Sequence, residues 1–433
     1  MPLLHSRFEG PSCAGRELVV VLLRDRADES HRNARATMSA LLSQPVVIDN
    51  GTGVVKAGMA GGDRPGVVFA SACGRAKHVR LMPGGALEGA DVVVGRRAAQ
   101  HRGALVLSRP MARGMVESWA DMERVWAHCY GDEGLGVASD AHPLLLTEAP
   151  LNAAKHRERA AELLFESFNV PALHLAPQAI LSLYASGRTT GLVLDVGDGV
   201  AHAVPVYEGF AVRHGVARAD VAGRDVTDRL QLLLRRAGRA LTTTAELDVV
   251  REVKERRCYV ALDPAGDERA FGAASRRGAA AAPPGDAANA ADGGARTHVL
   301  PDGSSVTLGA ERFRAPEVLF DPSLVGSEDG GVHKVLNLAA LRADLDLRAT
   351  LYQQIVLAGG STLFPGFGER LLKELRSDLP DHTKIKIHAP PERMLSTWIG
   401  GSILASLATF KSMWVLRAEF EEHGARLFSQ RAL

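Results

Sequence analysis

The chain has 433 residues, a formal net charge of +1 and 46% hydrophobic residues, enough for about two to three domains with a sizeable core. Near-neutral charge gives no field to draw nucleic acid or an acidic membrane, and no apolar run nears the roughly twenty residues of a membrane span. Cys13, Cys73, Cys129 and Cys258 form no CxxC pair, which favours a reducing compartment and argues against structural zinc.

Residues 1–44 mix arginines and acids around one short apolar run, "LVVVLL". That run is too short to span a bilayer and too deep in the chain for a typical secretion signal, so a disordered extension or a misassigned start is expected. "VVIDNGTG" (46–53) follows: a buried strand ending in a glycine turn. "AAKHRERAAELLFESF" reads as a helix, with Asn152 placed to cap it. At 192–199 "LVLDVGDG" repeats the earlier strand and turn, with aspartate and both glycines in register. "GRDVTDRLQLLLRRAG" is a second helix: Val226, Leu230, Leu233 and Leu234 share a face, and Gly238 is its stop. The stretch 264–296 is rich in Ala, Gly and Pro and poor in large apolar residues, so a mobile surface insert is expected. "VLPDGSSVTL" predicts a hairpin turning at Asp302-Gly303. The class is α/β with some antiparallel pairing, in two halves.

The repeated turn carries the chemistry. Glycines after a strand let backbone N–H groups approach a bound anion. The strand-end carboxylate can hold the water shell of Mg²⁺. Two such turns, one from each half of a duplicated fold, can grip one polyphosphate from opposite sides. Lys56, three residues past Gly53, suits a β-phosphate contact. Each feature has a plainer reading when taken alone. Asp-x-Gly is common in loops, a lone His202 is more simply an interior or surface residue, and "REVKERR" reads as a solvated helix face. The glycines of "WIGGSILASL" read as packing residues that let helices approach closely.

Six longer stretches carry a resemblance: "LLTEAPLN" (145–152), "ILSLYASGRTTG" (180–191), "VAGRDVTDRL" (221–230), "RFRAPEVLF" (312–320), "AGGSTLFPGF" (358–367) and "STWIGGSILASL" (396–407). Along nearly all of 44–433 the chain resembles the actin family. "QPVVIDNGTG", "GALEG", "GSEDGGVHKVL" and "EFEEHGAR" are similar to its centractin branch, whose members form the short filament of dynactin.

The resemblance implies a duplicated actin-like ATPase fold, with two lobes around a central nucleotide cleft. One lobe would take 45–185 plus 396–433, and the other 186–395 with the insert 264–296. It implies ATP or ADP with Mg²⁺, and Asp49 and Asp195 would hold the metal through water. Gly51, Thr52, Gly53 and Lys56, with Gly197, Asp198 and Gly199, would cradle the phosphates and reach the ribose. Gln178 and His202 would orient the attacking water. Gly223 and Glu255 would face the ribose, and Arg251, Lys254, Gly359, Gly360, Leu363, Phe364 and Met394 would line the adenine pocket. It further implies a slow ATPase at most, coupled to filament state, and self-association into a filament. Partners would be dynactin-type subunits, indirectly dynein, and possible contacts with actin and capping proteins. Nucleic acid and membrane insertion are not expected; a place in the cytoplasm and cytoskeleton is.

Four positions depart from the family pattern. Val196 and Ala358 stand where serine is usual, each removing one hydroxyl. Ala112-Arg113 replaces a usual Glu-His near the phosphate exit, so altered hydrolysis or phosphate release is expected. The loop 78–93 also differs where subunits meet. A conventional long-filament actin remains the main rival. A sugar kinase shares the phosphate-gripping core, but nothing here resembles its sugar pocket.

Overall fold

The computed structural model describes residues 43–77, 91–276, 297–300 and 303–430. The expected leader falls outside them except for Ser43 and Gln44, as do residues 78–90 of the divergent loop and residues 277–296 of the expected insert.

Strand β1 (Val46–Asn50) is buried at every position, as a continuous apolar run demands of a central strand. The glycine turn returns it antiparallel into β2 (Val54–Met59), with Asp49 opposite Lys56. β3 (Val67–Ala70) extends that edge. A small sheet follows, of β4 (Cys73–Ala76), β5 (Val93–Val94) and β6 (Leu105–Ser108), then a short hairpin of β7 (Met111–Ala112) and β8 (Met115–Val116). Helix α1 (Trp119–Tyr130), β9 (Leu144–Glu148), helix α2 (Ala154–Glu166) and β10 (Ala172–Pro177) come next. β9 lies parallel to β1, and β10 parallel to β9.

Helix α3 (Gln178–Ala185) carries the chain into a second sheet, where the plan repeats. β11 (Gly191–Val196) turns antiparallel into β12 (Ala201–Tyr207), with Asp195 opposite His202. β13 (Phe210–Ala211) and β14 (Ala217–Ala219) both pair with β12. Helices α4 (Gly223–Arg236), α5 (Thr244–Arg257) and α6 (Pro264–Arg276) precede a hairpin of β15 (Thr297–Val299) and β16 (Ser305–Thr307). β17 (Ile355–Ala358) then lies parallel beside β11, and β18 (Ile387–His388) beside β17. After helix α7 (Ser396–Ser406), β19 (Val415–Leu416) returns to pair with β10 of the first sheet. Each sheet is thus a hairpin whose first strand gains a parallel neighbour.

Two local expectations are corrected. Asn152 does not cap α2; Ala153 occupies the N-cap, and Asn152 Nδ2 donates to Glu148 Oε2 at 3.0 Å. That bond holds the Asn152 side chain at the end of β9, where Glu148 also accepts from Arg157 Nε at 2.8 Å. Residues 264–276, expected to lack order, form α6. Pro264 suits a first helical turn, Phe271 packs against the Tyr259, Ala261, Ala310 and Phe313 cluster, and the buried Asp267 accepts from Tyr259 Oη at 3.5 Å. One aromatic anchor on an alanine-rich segment suffices for a helix that composition alone argued against.

Each lobe has its own core. One centres on Ile48, Leu146, Trp126 and Phe165, the other on Leu194, Leu230, Leu336 and Leu357. α4 buries Val226, Leu230, Leu233 and Leu234 along the expected face. Helix α3 is shared. Leu181 packs with Val47, Leu145 and Trp398, while Ala179, Ile180 and Leu183 pack with Val193, Val204 and Val356. Helix α7 presses on it so closely that a Cβ at Gly400 would lie 1.8 Å from the Leu181 carbonyl oxygen. The glycines of "WIGGSILASL" are therefore packing residues, as the sequence reading has them.

Candidate functional site: a cavity between two glycine turns

The two turns meet. A Cβ at Gly53 would fall 2.7 Å from Asp198 Cβ, and one at Gly199 would fall 2.7 Å from Thr52 Cγ2. Each turn needs glycine because the other turn occupies the space a side chain would take. The hairpin β7–β8 closes one side, where Gly114 N donates to Thr52 Oγ1 at 3.1 Å. Arg113, in the same hairpin, has φ +48°, and its carbonyl accepts from Arg218 Nη2 at 3.0 Å.

Between the turns lies a cavity of about 430 Å³. Asp49, Gly51, Thr52, Gly53 and Lys56 line it from the first lobe, with Gln178 at the start of α3. The second lobe contributes Asp195, Gly197, Asp198, Gly199 and His202, and α5 adds Arg251, Lys254 and Glu255. Gly359, Gly360, Leu363, Phe364 and Met394 complete the far wall. Gly223, expected at the ribose, is not among the lining residues. It sits behind them, where a Cβ would meet Ser361 Oγ at 2.5 Å and Gly197 O at 3.0 Å, and its carbonyl accepts from the buried Lys254 Nζ at 2.9 Å.

Asp49 is 1% exposed and fully engaged. Lys56 Nζ approaches Oδ2 at 2.7 Å, while Oδ1 accepts from Thr147 Oγ1 at 2.7 Å and from Gln178 Nε2 at 3.0 Å. Gln178 Nε2 also reaches the Asn50 carbonyl at 3.1 Å. The amide nitrogen is committed to the wall, which leaves the side-chain oxygen as the end able to accept from water. Burial first, and then the nearby Asp49 charge, pushes the Asp195 carboxyl up to about 6, against the pull of Lys56. A Cβ at Gly359 would lie 2.4 Å from Asp195 Oδ1, so that carboxylate too is walled by bare backbone.

His202 occupies in β12 the place that Lys56 holds in β2. Burial, with a smaller push from Arg218, lowers it to about 3, and Nε2 has no hydrogen-bond partner among the described residues. Its folded value lies below that of a free histidine, so the unfolded chain binds more protons between them. The stability contributed is whole above about 6.5 and is lost as pH falls towards 3. His202→Gln should therefore flatten the acid limb, with a difference from wild type of about 2 kcal/mol appearing by about pH 5 in denaturant titrations.

The donor set fits a hydrated metal–polyphosphate. Buried Asp49 and half-buried Asp195, from opposite lobes, face one cavity cradled by glycine backbone, with Lys56 beside them. No cluster of three His, Cys, Asp or Glu among the described residues can hold a metal ion by itself. An ion that keeps several waters would be held by such carboxylates through its water shell. Sequence reasoning missed Asn50, Thr147, Gly114, Ser361 and Thr397, as well as Val68, Phe69 and Ala70 of β3. Asn50 and Thr147 anchor the Asp49 end of the site: Asn50 N donates to Thr147 Oγ1 at 3.0 Å, and Asn50 Oδ1 accepts from Trp126 Nε1 at 3.1 Å. Asn50 directly follows Asp49, the one signal that could have marked it.

A hairpin-plus-parallel-strand unit used twice, its two turns interlocked over one cavity, defines the two-lobed actin-like ATPase fold. The chain belongs to the actin family, whose model matches residues 41–432. It is 52% identical over 385 residues to a Neurospora crassa protein described as "Actin-like protein", across 89% of this chain and 97% of that one.

Proposed function

We propose that this actin-family protein binds Mg²⁺ with ATP or ADP in the cavity and assembles into a short filament, as the centractin-type subunit of a dynactin-like complex in the cytoplasm. The observation that carries the nucleotide reading is the interlocking of the two turns, which places Asp49 and Asp195 on one cavity. The filament and dynactin readings rest on family membership and on "GALEG", "GSEDGGVHKVL" and "EFEEHGAR".

Bound there, the nucleotide supplies a terminal phosphoryl group whose loss to water distinguishes two states of the protein. Asp49 and Asp195 hold the metal through its waters, and Lys56 offsets phosphate charge. Gln178, tied to Asp49 and to the backbone, orients water through its oxygen. His202, kept neutral, lies beside the cavity with a buried Nε2 that no described residue bonds. These are positioning roles, worth rate only through geometry. Val196 and Ala358 are fully buried and do not line the cavity, so the backbone cradle is intact despite them.

Affinity purification of the full chain from its native cytoplasm should recover a defined multi-subunit assembly, and electron microscopy of purified protein with Mg-ATP should show short filaments. Long filaments that keep growing would favour a conventional actin. Recovery of no partners, together with no filaments, would sink the proposal.

A further inference from the structure

Three arginines of the first lobe reach acids of the second. Arg102 Nη1 lies 3.6 Å from Glu252, Arg113 Nη1 lies 3.6 Å from Asp220, and Arg109, just past β6, reaches two acids at once. Its Nη1 is 3.6 Å from Asp198 Oδ2, and its Nη2 is 3.5 Å from Asp248 Oδ1. Asp198 belongs to the second glycine turn and lines the cavity, whereas Asp248 stands on α5 one turn before Glu252. Each acid is also held from its own lobe, Asp198 by Arg224 at 3.2 Å and Asp248 by Arg251 at 3.5 Å.

The geometry points to Arg109 as a positioning residue that straps the lobes together and so sets how long the nucleotide stays. This rests on the reading of the cavity as a nucleotide site. Arg109 Nη1 is buried and makes no hydrogen bond among the described residues, and both its ion pairs sit just outside hydrogen-bond range. A closing movement of about 0.7 Å would bring both to the length of charge-assisted hydrogen bonds. Arg109 is not itself among the residues lining the cavity; it acts on the ligand through Asp198, which carries any displacement of the turn to the other lobe. The guanidinium fork matters because one group must serve two carboxylates on separate elements. Lysine, a point charge, cannot do so with the same geometry.

The test follows release of a fluorescent ATP analogue, with magnesium, from the full-length protein. Arg109→Gln should speed release about tenfold, a coupling of the size charged neighbours in one network show. Asp248→Asn alone should speed it too, and the double variant should be no faster than Arg109→Gln. Wild-type release should quicken between about 50 and about 500 mM salt, while Arg109→Gln should be fast throughout. Arg109→Lys should fall between the two. A wild type that holds the analogue while Arg109→Gln releases it at the same rate, with the same salt profile, overturns the strap. Additive effects of the two variants do the same. A wild type that never holds the analogue overturns the nucleotide reading, and the strap with it.

Discussion

Asp49→Ala should abolish binding of Mg-ATP and destabilise the fold by about 3–5 kcal/mol, the range for stripping one partner from a buried ion pair. The loss exceeds one contact because Lys56, Thr147 and Gln178 all bond to this carboxylate. Without it Lys56, 12% exposed, loses its ion-pair partner. Asp49→Asn retains the size and an acceptor oxygen, so it should recover part of the stability and little of the binding. Denaturant titration and equilibrium nucleotide binding separate the two effects. An alanine variant that binds Mg-ATP like wild type would remove Asp49 from the metal site.

Gly400→Ala should be comparably damaging, at about 3 kcal/mol or more, for a reason unrelated to charge. The added methyl would sit 1.8 Å from the Leu181 carbonyl oxygen, a backbone atom that cannot swing aside as a side-chain end does. Relief requires α3 and α7 to part, which disturbs Leu181 and Trp398 together. Gly401→Ala meets Val47 Cγ1 at 2.9 Å, a side-chain atom with some freedom, and should cost less. Chemical denaturation of both variants ranks them, and equal stability of Gly400→Ala and wild type would show that the two helices can separate freely.

The parts of the site legible in sequence were those that local chemistry fixes. "VVID" and "LVLD" end in glycine turns because a buried strand needs a way to reverse, and their matching registers disclosed the duplication. Thr147 and Asn50 were not legible, because their roles depend on β9 lying parallel to β1, which no nearby residue announces. Gly223 was placed at the ribose by resemblance, yet the close approach of Ser361 and Gly197 sets it behind the wall. Asn152 leaves the cap because its Nδ2 donates to Glu148 at the end of β9, a strand partner that the local sequence does not disclose. Helix α6 escaped notice because composition counts residues without asking whether one of them, Phe271, finds an aromatic neighbour.

Helix α3 packs against a face of each six-stranded sheet and begins with Gln178. Any twist of one half against the other must therefore be felt along it, down to the amide that touches Asp49. Within the proposed filament, a neighbouring subunit gripping only the outer surfaces would then shift Gln178 by torsion alone, without approaching the cavity.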